Sequence, residues 1–206
     1  MKIDWQKGGG LVPAIVQDAD TLQVLMLGYM SEAALAKTQE SGLVTFHSRS
    51  RDTLWTKGET SGNTLALVSV IPDCDDDTLL VLARPAGPTC HEGTVSCFGK
   101  DGASGVGFIG HLARVIEGRK GADPSESYTA KLLAGPLVKT AQKVGEEGVE
   151  TALAAVAESD EALRGEAADL LYHLLVLLAA KDVAVADVIE TLQDRQRSER
   201  EAHPLS

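Results

Sequence analysis

Apolar positions recur at every second residue through much of the first half of the chain and at every third or fourth through the second half. The period-two runs at residues 11–17, 22–29, 43–48, 65–71 and 78–83 predict strands, because successive side chains of an extended chain point to opposite faces. Residues 31–41 predict one helix among them, with Ser31 as N-cap, Glu32 in the first turn and Gly42 just past the end. The pattern then breaks into Gly99-Lys100-Asp101-Gly102-Ala103-Ser104-Gly105, small and polar residues of linker type. Beyond it, helical periods predict helices at 108–118, 127–134, 137–157, 161–180 and 183–200. The run from Leu170 to Leu178 is apolar nearly all round, which predicts burial in a bundle or at a subunit contact. The expected fold class is therefore two domains, a β-rich α+β domain over residues 1–107 and an all-α helical bundle over 108–206.

Composition narrows the setting. With 44% hydrophobic and 24% charged residues, the chain reads as soluble and globular. No apolar run reaches the ~18–20 residues a membrane span needs, and Met1 to Trp5 lacks a signal-peptide apolar region. The expectation is a cytoplasmic protein without a membrane partner. The net charge of −11 is spread over both halves and argues against long nucleic acid, whose binding rests on neutralising phosphates. A small phosphorylated substrate stays compatible where cations offset the charge. Three cysteines, an odd number in a reducing compartment, favour metal binding or catalysis over a disulfide framework.

The chemistry of the first half centres on Asp73-Cys74-Asp75-Asp76-Asp77, clamped between two strand-like segments. If this segment is extended, alternation sends Asp73, Asp75 and Asp77 to one side and Cys74 and Asp76 to the other. Hard carboxylate oxygens suit magnesium, and a soft thiolate suits zinc. Downstream, Cys90, His91 and Cys97 lie in a Gly- and Thr-rich stretch. Three cysteines without a fourth favour a catalytic zinc, which keeps one position for water; His91 could be a proton shuttle or the fourth ligand. On the residues alone, any single cysteine here is more often a small buried hydrophobe than a ligand. Arg49, Arg51 and Lys57 sit among hydroxyl and glycine residues, a combination suited to phosphate capture. A basic hairpin with a Ser/Gly turn would use the same residues.

These motifs together resemble a known family. Gly10 to Gln17, Met26 to Met30, Ser48-Arg49-Ser50-Arg51, Trp55 to Gly62, Asp73 to Asp77 and Gly87-Pro88-Thr89-Cys90-His91 look like phosphoribosyl-AMP cyclohydrolase of histidine biosynthesis, over roughly residues 5–98. The resemblance implies opening of the adenine ring between N1 and C6 by zinc-activated water, a magnesium requirement, and a homodimer with the active site at its interface. It implies magnesium on Asp73, Asp75 and Asp77, and zinc shared between Cys74 of one subunit and Cys90 and Cys97 of the other, with His91 managing protons. His47 departs from the aromatic pair common there and receives no role.

In the second half, Glu146, Glu147 and Glu150 share a helix face, as do Glu166, Asp169 and His173. Like charges at such spacing repel. A solvated surface accommodates them, and so does a divalent cation that offsets their repulsion and desolvation. Ser127-Tyr128-Thr129, Lys143 to Glu150 and Glu166 to His173 resemble phosphoribosyl-ATP pyrophosphohydrolase, over about residues 109–200, with Gly148 where that family commonly has alanine. The resemblance implies magnesium on Glu146, Glu147, Glu150, Glu166 and Asp169, phosphate contacts from Lys139 and Lys143, and Glu147 as a catalytic carboxylate. Spacing does not decide which carboxylate ligates and which acts as base. The expected substrates are phosphoribosyl-ATP and phosphoribosyl-AMP. The competing expectation is a general nucleotide pyrophosphohydrolase with a zinc-binding accessory domain.

Overall fold

Val12, Ala14 and Val16 alternate with half-exposed neighbours along strand β1 (Val12–Asp18) and are fully buried, as a strand with one face on a core requires. β2 (Val24–Met30) pairs antiparallel with it, after a turn in which Leu22 takes a positive φ instead of joining the strand. Helix α1 (Glu32–Ser41) follows, capped as its sequence predicts: Ser31 Oγ accepts from the Ala34 N–H, and Gly42 is left-handed at the other end. β3 (Thr45–Ser48) and β4 (Thr53–Thr56) form a separate two-stranded ribbon. β5 (Leu65–Pro72) and β6 (Leu79–Pro85) complete a four-stranded sheet of order β2-β1-β6-β5, in which β6 runs parallel to β1 and antiparallel to β5. The inward residues of β6, Leu79, Val81 and Ala83, meet those of β1 in one core with Leu25, Met30, Leu35, Val44, Phe46 and Leu65. Gly28 of β2 is required by that core, since a side chain there would run into the Phe46 ring.

The computed structural model describes residues 2–99 and 102–202, and the chain divides into two compact units between Phe108 and Ile109. Lys100 and Asp101 of the expected linker lie outside the described residues. The second unit is helical: α2 (Gly107–Glu117), α3 (Tyr128–Ala134), α4 (Leu137–Ala157), α5 (Asp160–Ala180) and α6 (Val185–Ala202). Only Glu158 and Ser159 separate α4 from α5, so the two run antiparallel side by side. Ile116, Leu175, Val176 and Ala179 form the buried centre. The Leu170–Leu178 run is not sealed on every side, because Leu171 is 48% exposed. No helix among the described residues is long and apolar enough to cross a membrane.

Two expectations need correction. The acidic segment is not extended: β5 stops at Pro72, and residues 73–78 form the turn that leads into β6. The carboxylate of Asp73 accepts from the N–H groups of Asp77 (3.0 Å) and Thr78 (3.1 Å), an aspartate building its own turn, and Asp76 takes a left-handed φ of 63°. Strand alternation therefore does not apply to Asp73, Cys74, Asp75, Asp76 and Asp77. Second, β4 is absent from the predicted strands, because its apolar residues Leu54 and Trp55 are adjacent and show no alternation, and Arg51 and Asp52 precede them.

Candidate functional site

The turn between β5 and β6 does by curvature what alternation was expected to do. Carboxylate oxygens of Asp73, Asp75 and Asp77 lie within 4.8 Å of one another, exposed or half-exposed. A cation from a distant part of the chain meets them: Lys7 Nζ is 2.6 Å from Asp77 and is also paired with Asp75. The Asp4 N–H, bonded at 2.8 Å to the Asp76 carbonyl, brings the Lys7 segment there. Lys7 holds the Asp77 carboxyl below the usual carboxylate range, and the two aspartates push the ammonium pKa up in return. Sequence offered no sign of this pairing across 68 residues.

Cys90 and Cys97 are set on a loop that is tied down at both ends. Cys90 and Thr94 close a tight turn (Cys90 N–H to Thr94 carbonyl, 3.0 Å), and the Cys97 N–H bonds the Leu25 carbonyl on β2 at 2.8 Å. The backbone N–H of Glu92, then Thr94, draws the Cys90 thiol down toward the thiolate form that ligates metal. Burial, then the neighbouring Cys90, pushes the Cys97 thiol up, and the Lys57 ammonium partly counters it. Lys57 therefore belongs electrostatically to the cysteine pair. His91 is exposed, with Nδ1 3.8 Å from Cys90 Sγ. Cys74, exposed on the β5–β6 turn, forms no common cluster of ligand atoms with the other two among the described residues. On the β3–β4 ribbon, the Arg49 guanidinium lies 3.8 Å over the Tyr29 ring, Arg51 is exposed, and His47 is engaged by Asp52 at 3.0 Å.

In the helical unit, α4 and α5 bring Glu147, Glu150 and Glu166 within 4.8 Å of one another. Glu147 is buried at 6% exposure. Burial, followed by the charges of Glu147 and Glu166, pushes the Glu150 carboxyl up. Three carboxylates this close repel one another, and a hard divalent cation between them removes that repulsion. Glu146 lies outside the set of three, turned toward Lys143 (2.9 Å) and Gln142 (2.7 Å). Asp169 also lies outside it, exposed and one turn beyond Glu166. Lys143 additionally approaches Glu147 at 3.5 Å, and Lys139 contributes charge beside Glu146.

A β-rich unit with a carboxylate turn and a cysteine pair, and an all-α unit with carboxylates facing across two helices, give the protein a candidate metal-binding cluster in each of two units. The chain matches the profile of phosphoribosyl-AMP cyclohydrolase over residues 26–99 and that of phosphoribosyl-ATP pyrophosphohydrolase over residues 109–196. It is 57% identical over 196 residues to the histidine biosynthesis bifunctional protein HisIE of Salmonella typhimurium and 58% identical over 196 residues to that of Shigella sonnei, in each case covering 95% of this chain and 96% of the relative. The Xylella fastidiosa protein of the same description is 57% identical over 195 residues, covering 95% and 93%. The chain belongs to the family of bifunctional histidine biosynthesis proteins HisIE.

Proposed function

We propose that the two activities divide along the chain, with residues 108–206 releasing pyrophosphate from phosphoribosyl-ATP and residues 1–107 opening the adenine ring of the phosphoribosyl-AMP so formed. The protein is a bifunctional hydrolase of histidine biosynthesis that uses zinc and magnesium. The observation that carries the division is one tight carboxylate cluster in each unit, inside each matched segment. Magnesium supplies charge neutralisation on the phosphates, and zinc supplies a water acidic enough to react at neutral pH.

The chain's own residues supply position. Glu147, Glu150 and Glu166 hold the cation of the helical site, with Glu146 and Asp169 beside it to orient water, and Lys139 and Lys143 take the phosphates. Of these, Glu147 is the catalytic carboxylate, buried where its charge is least screened. In the first domain Asp73, Asp75 and Asp77 hold magnesium, displacing Lys7. Cys90 and Cys97 hold zinc with Cys74 of a second chain, Arg49, Arg51 and Lys57 engage the phosphoribosyl phosphate, and His91 moves the proton. The protein works as a cytoplasmic homodimer, without membrane or long nucleic acid as partner.

The test incubates the protein with phosphoribosyl-ATP, magnesium and zinc while following pyrophosphate and the absorbance of ring opening. Pyrophosphate release without ring opening under zinc would return the general nucleotide pyrophosphohydrolase reading. For the shared zinc, Cys74→Ala and Cys97→Ala chains are co-expressed. Each alone should be inactive in ring opening, and the mixture should recover about a quarter of the native rate, since half the dimers are mixed and each carries one intact site. An inactive mixture counts against sharing.

A further inference from the structure

His173 is a buried side chain of the helical unit that the proposed chemistry does not use. It is 6% exposed on α5, and each ring nitrogen has a partner. Nδ1 lies 3.0 Å from the carbonyl oxygen of Asp169, one turn earlier, and 3.5 Å from Oε1 of Glu147 on α4. A carbonyl oxygen only accepts, so Nδ1 carries a hydrogen and donates it to Asp169, while the Glu147 oxygen lies 3.5 Å from the same nitrogen as a longer electrostatic contact. Nε2 is 3.3 Å from the Tyr128 hydroxyl on α3, which donates to it in the neutral ring.

The ring is also fixed mechanically. The edges of Tyr172 and Tyr128 pack against it with centroids 5.1 and 6.2 Å away, and the Tyr172 hydroxyl is 2.6 Å from Thr129 Oγ1, tying α3 to α5 alongside. We infer that His173 is a positioning residue: oriented by Tyr128 and the Asp169 carbonyl, its Nδ1–H edge lies 3.5 Å from the Glu147 carboxylate and, by charge–dipole attraction, biases it toward the orientation in which it meets a divalent cation. A glutamate side chain has three rotatable bonds, and ordering it costs conformational entropy. A fixed N–H dipole 3.5 Å from one oxygen offsets part of that cost before the cation arrives, as imidazole and carboxylate partners do behind metal ligands generally. This rests on the reading of Glu147, Glu150 and Glu166 as the helical cation site.

The test reads manganese binding by electron paramagnetic resonance in the full chain, with Asp75→Asn and Asp77→Asn present to silence the other carboxylate cluster. His173→Asn places an amide N–H near the position of Nδ1, and His173→Gln places it near Nε2 instead. Manganese affinity should fall about tenfold or more in His173→Gln, stay within about threefold of the parent in His173→Asn, and fall by an intermediate factor in Tyr128→Phe. Raising magnesium should restore pyrophosphate release by His173→Gln. Parental affinity in His173→Gln, or equal losses in Asn and Gln, overturns the inference by leaving only a packing role. Failure of the site reading has a different signature: Glu147→Gln in the same background would then leave manganese binding unchanged.

Discussion

The two carboxylate clusters reach the same spacing by opposite means. Asp73, Asp75 and Asp77 lie within five consecutive residues, on a turn that Asp73 builds with its own side chain, and they are exposed or half-exposed with Lys7 among them. Glu147, Glu150 and Glu166 come from two helices of 21 residues each, and Glu147 is buried against His173. A cluster made by a turn depends on a few local hydrogen bonds and tolerates a mobile internal cation. One made across a helix pair depends on the packing of both helices, and its repulsion is less screened by water. The first should respond to salt and to Lys7, and the second to its neighbours in the helical core.

The largest effect should come from cutting each cluster in turn. Glu166→Gln should lower pyrophosphate release by about a hundredfold or more while ring opening of supplied phosphoribosyl-AMP continues, and Asp75→Asn should do the reverse. Loss of both activities from either substitution in a folded protein would break the independence of the two sites. Next, Lys7→Met should tighten magnesium binding at the turn roughly two- to fivefold at low salt, with the difference shrinking near 1 M salt. Calorimetric titration of the Glu147→Gln chain isolates that site, and an unchanged affinity would show that Lys7 does not compete.

Smaller effects probe the helical side. An added Cβ at Gly148 would meet nothing closer than Leu170 Cδ1 at 4.0 Å, so Gly148→Ala should stabilise the helical unit by up to about 1 kcal/mol, seen by thermal melting followed through helix content. A lower melting temperature would mean that α4 needs the glycine. The smallest effect belongs to the exposed pair Lys120–Asp182, 2.7 Å apart. Lys120 depresses the Asp182 carboxyl. A depressed carboxyl stabilises the fold above its unfolded value and loses that contribution as pH falls through its folded one. Asp182→Asn should therefore lower the melting temperature slightly at neutral pH and not at all once the pH falls below the depressed value of the folded-state carboxyl. A gap that persists in acid would assign the effect to packing.

Helices were the most legible elements, because their apolar spacing continues over many residues. α4 begins and ends where its period does, and Ser127 and Ser159 cap α3 and α5 as serines at those positions should. Strand runs with alternating apolar residues were legible for the same reason, whereas β4, with Leu54 and Trp55 side by side, was not. In the acidic segment the three aspartates do cluster, but by a geometry other than the expected one. Its aspartates were read as a pleated face, but Asp73 competes with the ladder for its own backbone N–H groups and turns the chain.

Sequence by itself determined the two kinds of unit, the residues able to carry chemistry, and which of them share a turn or helix face, because period and spacing are local properties of the chain. Tertiary structure decided what each of those residues faces. It placed β6 in parallel beside β1, Lys7 on aspartates nearly seventy residues away, Glu166 opposite Glu147, and Tyr128 and His173 behind that glutamate. Each of these pairings joins segments with no common local period. They form only when burial of apolar faces brings the segments together.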